Sequence, residues 1–122
     1  MNKLIYSETE ARQELTQLLA DINSPQEIAD FLAAFIKESE VSNLAKRVAI
    51  LKLLEENVSY EDIQNQLSVS SATVSAVAQT RELPISQRIL ERIAAQNWAD
   101  QQFKKIQQYF NPDQPKNQSQ TL

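Results

Sequence analysis

The chain has 122 residues, a net charge of −4 and no glycine, cysteine or histidine. Without glycine it lacks the phosphate loops and dinucleotide fingerprints that need backbone free of a Cβ, and without cysteine or histidine it lacks zinc sites, disulfides, thiol nucleophiles and an imidazole base. We therefore expect no metal, no cofactor and no enzyme, although catalysis by carboxylates or lysine alone stays open.

The charge is unevenly distributed along the chain. Residues 1–62 hold 12 acidic and 6 basic side chains, whereas residues 63–122 hold 4 acidic and 6 basic ones. A polyanionic partner should therefore meet the second half, although the overall acidity disfavours binding through bulk charge alone. The first ten residues contain no apolar run of signal-peptide length, and no long apolar run follows. We expect a cytoplasmic protein without a membrane partner.

Two capping boxes, each a serine followed three residues later by glutamate, open the predicted N-terminal helices over residues 7–37. Ser7 and Ser24 are the expected caps, and Pro25 suits a first helical position because its missing N–H would be unpaired there. The apolar stripes that follow are larger than a short monomeric bundle needs. We expect them to build the core of a homodimer, with these residues inside: Leu15, Leu18, Leu19, Ile28, Phe31, Phe35 and Ile36.

The third helix is predicted over about residues 40–56. Asn57 follows it, at a place where a helix C-terminus favours the left-handed conformation that asparagine adopts when glycine is not used. The expected buried side of this helix combines a main stripe with residues that wrap round it: Val41, Leu44, Val48 and Leu51, then Ala45, Ile50 and Leu54.

Residues 60–79 fit the pattern of a DNA-reading helix-turn-helix, in which two short helices cross through a tight turn. Such a unit buries two positions of its first helix, one of its turn and two of its second helix. All five are apolar here: Ile63, Leu67, Val69, Val74 and Val77. The outward side of the second helix would present small or hydrogen-bonding side chains to a major groove: Ser70, Ser71, Ala72, Thr73, Ser75, Ala76 and Gln79.

Two positions depart from this pattern. Gln64 stands where a small residue is usual, and Ser68 stands where glycine is usual. The second helix also carries no basic residue before Arg81 at its end, although phosphate contacts supply much of the affinity for DNA. We include Arg81 among the DNA-binding candidates. The alternative is a tri-helical unit that makes protein contacts.

A break at Leu83-Pro84 precedes a long helix predicted over residues 86–110. Asn111-Pro112 stops this helix, and residues 111–122 are expected to be disordered. No segment alternates as a strand would, so the chain is predicted to be all-α, with one domain over residues 1–110 and its helix-turn-helix region within residues 40–80. One face of the long helix is apolar: Ile89, Ile93, Ala99, Phe103, Ile106 and Phe110.

Several segments share residues and spacing with a known family: Asn43-Leu-Ala-Lys-Arg47-Val, Leu53-Leu54, Ser59-Tyr60-x-x-Ile63 and Ser71-Ala-Thr-Val-Ser75-x-Val77. They resemble the Trp-repressor-like family, in particular its YerC/YecD branch, and the likeness covers about residues 15–80. The resemblance implies a multi-helical bundle, an intertwined homodimer and a transcriptional regulator that binds double-stranded operator DNA. The repressor that gives the family its name uses tryptophan as corepressor.

The family's functional positions are only partly present. Arg47 matches an arginine that contacts the corepressor carboxylate, so it is the candidate ligand residue, with a helix-surface salt bridge as the alternative. Ala76 replaces the family's second arginine, and Val77 replaces a small glycine beside the indole. Since a carboxylate without its second arginine binds weakly, we expect no control by tryptophan. The DNA-reading positions match: Ser71, Ala72, Thr73 and Ser75.

These features support one main hypothesis and one alternative. The main hypothesis is a sequence-specific DNA-binding regulator that acts as a homodimer through residues 60–79. The alternative is a protein-interaction module on the same helical scaffold, with weak or lost DNA binding. The acidic composition and the uncharged second helix support the alternative.

Overall fold

The structure is a computed structural model that describes residues 5–110, and helices are the one kind of regular structure in this range. The prediction of an all-α chain is therefore confirmed. None of these helices has the length and apolar composition to cross a membrane. The predicted disorder of residues 111–122 lies outside the described range. The helices are α1 (Glu8–Asp21), α2 (Pro25–Phe35), α3 (Glu38–Glu55), α4 (Tyr60–Leu67), α5 (Ser71–Gln79) and α6 (Pro84–Phe110).

Serine side chains cap most of the helix N-termini of residues 5–110, and the predicted caps Ser7 and Ser24 are among them. The Oγ atoms of Ser7, Ser24, Ser59 and Ser70 each accept a hydrogen bond from the backbone N–H three residues later, at 3.1 to 3.3 Å. Each bond satisfies one of the N–H groups that the first helical turn leaves unpaired. The last helix begins at Pro84, two residues before its predicted start, because proline is tolerated in a first turn.

The helices fall into two compact units, and the division between Ala45 and Lys46 lies within α3. In the first unit, α1 and α2 form their predicted apolar stripes but bury none of their residues. Leu18 is 47% exposed and Phe35 is 77% exposed. The stripes therefore exist as predicted, while the chain on its own leaves them largely open.

The second unit holds the buried core. Ile50, Ile63 and Val74 have no exposed surface, and they come from α3, α4 and α5 respectively. Helices α4 and α5 pack directly against each other. Ile89 and Leu90 of α6 pack at the edge of the same cluster. This core fixes α5, whose outer face is the candidate site.

The predicted buried side of α3 is wrong at three positions. Ala45 is exposed, and Leu44 and Val48 are 55% and 39% exposed, whereas Ile50 and Leu54, expected only at the margin of the stripe, belong to the core. The helix carries apolar residues on more than one side, and periodicity alone does not say which side meets the other helices.

Candidate nucleic-acid interface

The apolar positions required by a helix-turn-helix lie where the pattern puts them. Ile63, Val74 and Val77 are buried, and Leu67 and Val69 are partly buried against the same cluster. The first and last of these positions are on different helices, so their shared burial sets how α5 crosses α4. This part of the sequence prediction is confirmed.

The turn between α4 and α5 depends on a left-handed serine. Ser68 has φ 54° and ψ 52°, and its backbone N–H donates to the carbonyl oxygen of Gln64. The N–H of Val69 donates to the same oxygen at 3.3 Å. Left-handed backbone costs a non-glycine residue about 1–2 kcal/mol. Ser68 thus performs the predicted glycine role. Asn57, with φ 61°, does the same after α3.

The outward face of α5 is narrow and uncharged. Its exposed residues follow the spacing of one helical face, and none of them is longer than glutamine: Ser71, Ala72, Ser75, Ala76 and Gln79. Small side chains allow a helix backbone to approach a groove floor closely, and hydroxyl and amide groups can bond to phosphates or base edges. The structure brings these five predicted residues together on one surface.

Ser70 and Thr73 lie differently from the other candidates. The Ser70 Oγ accepts from the Thr73 backbone N–H at 3.1 Å and lies 3.0 Å from the Thr73 Oγ1. Thr73 is half-buried. The two hydroxyl groups are therefore engaged with each other at the start of α5, which leaves one hydroxyl proton of the pair free to donate.

Arg81 is held by a carboxylate that sequence reasoning missed. Its Nη2 and Nε donate to the Glu55 Oε2 at 3.1 and 3.4 Å, and the two side chains are 34% and 50% exposed. Gln87 fixes the same segment by donating to the Arg81 carbonyl oxygen at 2.8 Å. Glu55 is 26 residues away in sequence, so no helical spacing links the pair. A phosphate would have to share Arg81 with Glu55.

Arg47 stands apart from these residues. It is exposed on α3 and takes part in neither of the ion pairs found within residues 5–110, Arg12–Glu8 and Arg81–Glu55. Its role as a ligand residue and the alternative of a surface salt bridge both stay predictions. A cleft of about 320 Å³ lies between α3 and α6, but Arg47 does not line it; Lys52, Glu56 and Leu90 do. In the described range no acidic side chains cluster as metal ligands would.

Comparison with known protein families matches residues 10–91 to the family described as Trp repressor protein. The match takes in most of α1, all of α2 to α5 and the first residues of α6, and it stops at Glu91. No curated protein and no solved structure matches the chain.

Proposed function

The chain belongs to the Trp repressor protein family, whose match spans about two thirds of its length, and from this membership we propose a homodimeric, sequence-specific DNA-binding regulator of transcription. The family implies regulators of the helix-turn-helix type. The observation that carries the proposal for this chain is the α4–α5 unit, with its buried apolar positions, its left-handed turn at Ser68 and its exposed α5 face. Placement in the YerC/YecD branch and action in the cytoplasm are parts of the same proposal.

The exposed α5 face would enter the major groove. Ser75 and Ala76 lie at its middle, on the side opposite the buried Val74 and Val77. Because these side chains are short, specificity would come from close backbone approach, hydroxyl contacts and apolar contact with thymine methyl groups. Gln79 is the one longer side chain that can hydrogen-bond to a base edge from this face.

The open stripes of α1 and α2 support the homodimer. Leu15, Leu18 and Leu19 are between 40% and 47% exposed in the single chain, and burying a leucine side chain contributes about 1.5–3 kcal/mol. A second copy that covers these stripes would give a symmetric pair of α5 helices. Such a dimer binds half-sites separated by about one turn of DNA, roughly 34–36 Å.

Electrostatic attraction to phosphate should be modest. Helix α5 contains no charged residue, and Arg81 at its end is shared with Glu55. The logarithm of affinity falls with log salt by about 0.9 for each phosphate neutralised. We therefore expect a shallow salt dependence for this protein, with base and groove contacts providing most of the discrimination.

Control by tryptophan is not part of the proposed function. Ala76 provides no guanidinium to pair with a carboxylate, and Val77 is 7% exposed and belongs to the core. Arg47 alone would bind a carboxylate weakly, since the strong geometry is bidentate or shared between two arginines. Calorimetric titration with tryptophan should show no heat. Micromolar binding would contradict this part of the proposal.

Selection of random duplex DNA with the purified protein tests the main proposal. One enriched palindrome, bound with an affinity that falls with salt, is the expected result. No enrichment at low salt would contradict DNA binding and favour the protein-interaction module, which the acidic composition and the uncharged α5 support.

A single charge on the α5 face tests which surface reads DNA. Ser75→Glu should abolish binding to the selected palindrome because a carboxylate would face phosphates and base acceptors. Thr73→Glu should do so too, but it also disturbs the Ser70 cap, so Ser75 is the cleaner site. The control is Gln101→Glu, which adds the same charge at an exposed position of α6. Equal affinity of Ser75→Glu and wild type would mean that α5 is not the reading helix.

A further inference from the structure

The C-terminal part of α6 carries an apolar face that the rest of residues 5–110 leaves open. Phe103, Ile106 and Phe110 are 61%, 53% and 73% exposed. They are separated by three and four residues, so they lie on one side of the helix. All of them come after Glu91, where the family match stops. This face is therefore an addition to the scaffold that the family shares.

The same side of α6 continues toward its N-terminus with an unbroken alternation of four-residue and three-residue steps. That alternation is the heptad pattern of helices that pair along a seam. It runs over almost the full length of α6, and only two of its positions are polar. We call the following residues the α6 seam: Ile85, Ile89, Arg92, Gln96, Ala99, Phe103, Ile106 and Phe110.

We propose that the α6 seam pairs with the α6 seam of a second copy of this chain, with the two helices antiparallel. In this register Ile85 faces the partner's Phe110, and Ile89 faces the partner's Ile106. Each seam residue then has a complementary residue opposite it, and the two-fold symmetry repeats every contact. Ile89 is already partly buried on the core, so it contributes its remaining surface.

The charged position of the seam favours the antiparallel arrangement. Arg92 would lie over the partner's Phe103, and a guanidinium above an aromatic ring is attractive. A parallel pair would instead place Arg92 against the partner's Arg92, which is repulsive in a seam. Lys104 and Lys105 lie on the other side of α6, so these like charges do not meet across the pair.

The area available is close to what a specific contact needs. An aromatic side chain buries about 150–250 Å². Given the exposed fractions of Phe103 and Phe110, two copies would bury roughly 500 Å² of ring surface. Ile85 and Ile106 are each 53% exposed, and together with the rest of the seam they bring the pair near the roughly 1,000 Å² of a specific interface. This pairing is a contact separate from the one proposed for α1 and α2.

Crosslinking between introduced cysteines tests the pairing and its direction. The natural chain contains no cysteine, so a short thiol-reactive crosslinker reports only on the positions chosen. Arg88→Cys and Tyr109→Cys flank the seam and face each other in the antiparallel register, whereas two Arg88→Cys positions would be about 31 Å apart along the axis. An equal mixture of the two full-length variants, one of them carrying a tag, should give mixed dimers at least about tenfold above background.

The background level of crosslinking is measured with Gln101→Cys. This position of α6 is exposed and lies on the side opposite the seam. Adding Phe103→Glu to both partners should remove the mixed dimers, while adding Gln101→Glu should leave them. Predominant Arg88→Cys self-crosslinks would show a parallel pair and overturn the proposal. Mixed dimers no more abundant than the background would overturn it as well. The reaction is run without DNA, so its failure and a failure of DNA selection are separate results.

Discussion

The helix-turn-helix unit and the N-terminal helices are built from the same local features, but the first buries its apolar residues and the second leaves them exposed. Both begin their helices with serine caps and carry apolar residues at helical spacing. Ile63 and Val74 are nevertheless fully buried, whereas α1 and α2 bury no residue. An apolar stripe therefore indicates that a helix needs a partner surface. It does not indicate whether that surface lies in the same chain.

The largest effect is expected when an apolar side chain is truncated to alanine in each of the two regions. Ile63→Ala should lower the free energy of unfolding by about 2–5 kcal/mol, because it removes a buried side chain and leaves a cavity. Leu18→Ala, at a site that is 47% exposed, should have an effect that depends on protein concentration if a second copy covers this site, as we propose. Urea denaturation at two protein concentrations measures both. A loss for Leu18→Ala that is equal at both concentrations would contradict the contrast.

Helix caps give a smaller test of the same contrast. Ser70 and Ser7 each accept a backbone hydrogen bond at 3.1 Å, so their capping hydrogen bonds are matched in length. Removing a serine cap costs typically about 1 kcal/mol. Ser70→Ala should show this loss, since α5 is fixed by Val74 and Val77. Ser7→Ala should show less, because α1 has no buried residue. Thermal denaturation of the two variants decides, and a larger loss for Ser7→Ala would contradict the expectation.

Local signals in the sequence were sufficient for most of the fold. The Ser7 and Ser24 caps and the left-handed Asn57 and Ser68 follow from rules that act over a few residues, and the structure confirms them. The predicted α3 face is wrong at Leu44, Ala45 and Val48. Both sides of that helix carry apolar residues, and choosing between them requires knowing where α4 and α5 lie.

Two features of the candidate site also escaped sequence reasoning. The half-burial of Thr73 depends on the position of its own helix against the core, and an outward pattern does not report it. The contact between Arg81 and Glu55 joins residues that are distant in sequence. Both features arise from tertiary packing, which residue spacing and helix propensity do not predict.

Backbone strain separates the two regions as well. The left-handed non-glycine residues in residues 5–110 are Asn57 and Ser68, and both belong to the second unit. Ser68→Gly should raise the free energy of unfolding by about 0.5–1 kcal/mol, since it relieves left-handed strain but frees the unfolded chain. Asn57→Gly should raise the free energy of unfolding by less, because asparagine tolerates the left-handed conformation. Ser75→Gly, inside α5, should lose roughly 0.5–1 kcal/mol. A lower free energy of unfolding for Ser68→Gly would mean that the turn needs the serine hydroxyl.

Breaking the ion pair between Arg81 and Glu55 should have the smallest effect on stability, but it should change the proposed DNA contact directly. Glu55→Gln should lower the free energy of unfolding by less than about 0.5 kcal/mol, because both partners are substantially exposed and water screens the pair. It should also release Arg81 to phosphate, which strengthens binding and steepens the salt dependence by up to about 0.9 per protomer. Glu56→Gln is the matched control, since it removes the same charge from a residue outside both ion pairs of residues 5–110. Binding to the selected palindrome, titrated over salt, distinguishes the variants. If Glu56→Gln steepened the salt dependence as much as Glu55→Gln, the gain would come from net charge, and Arg81 would not be a phosphate contact.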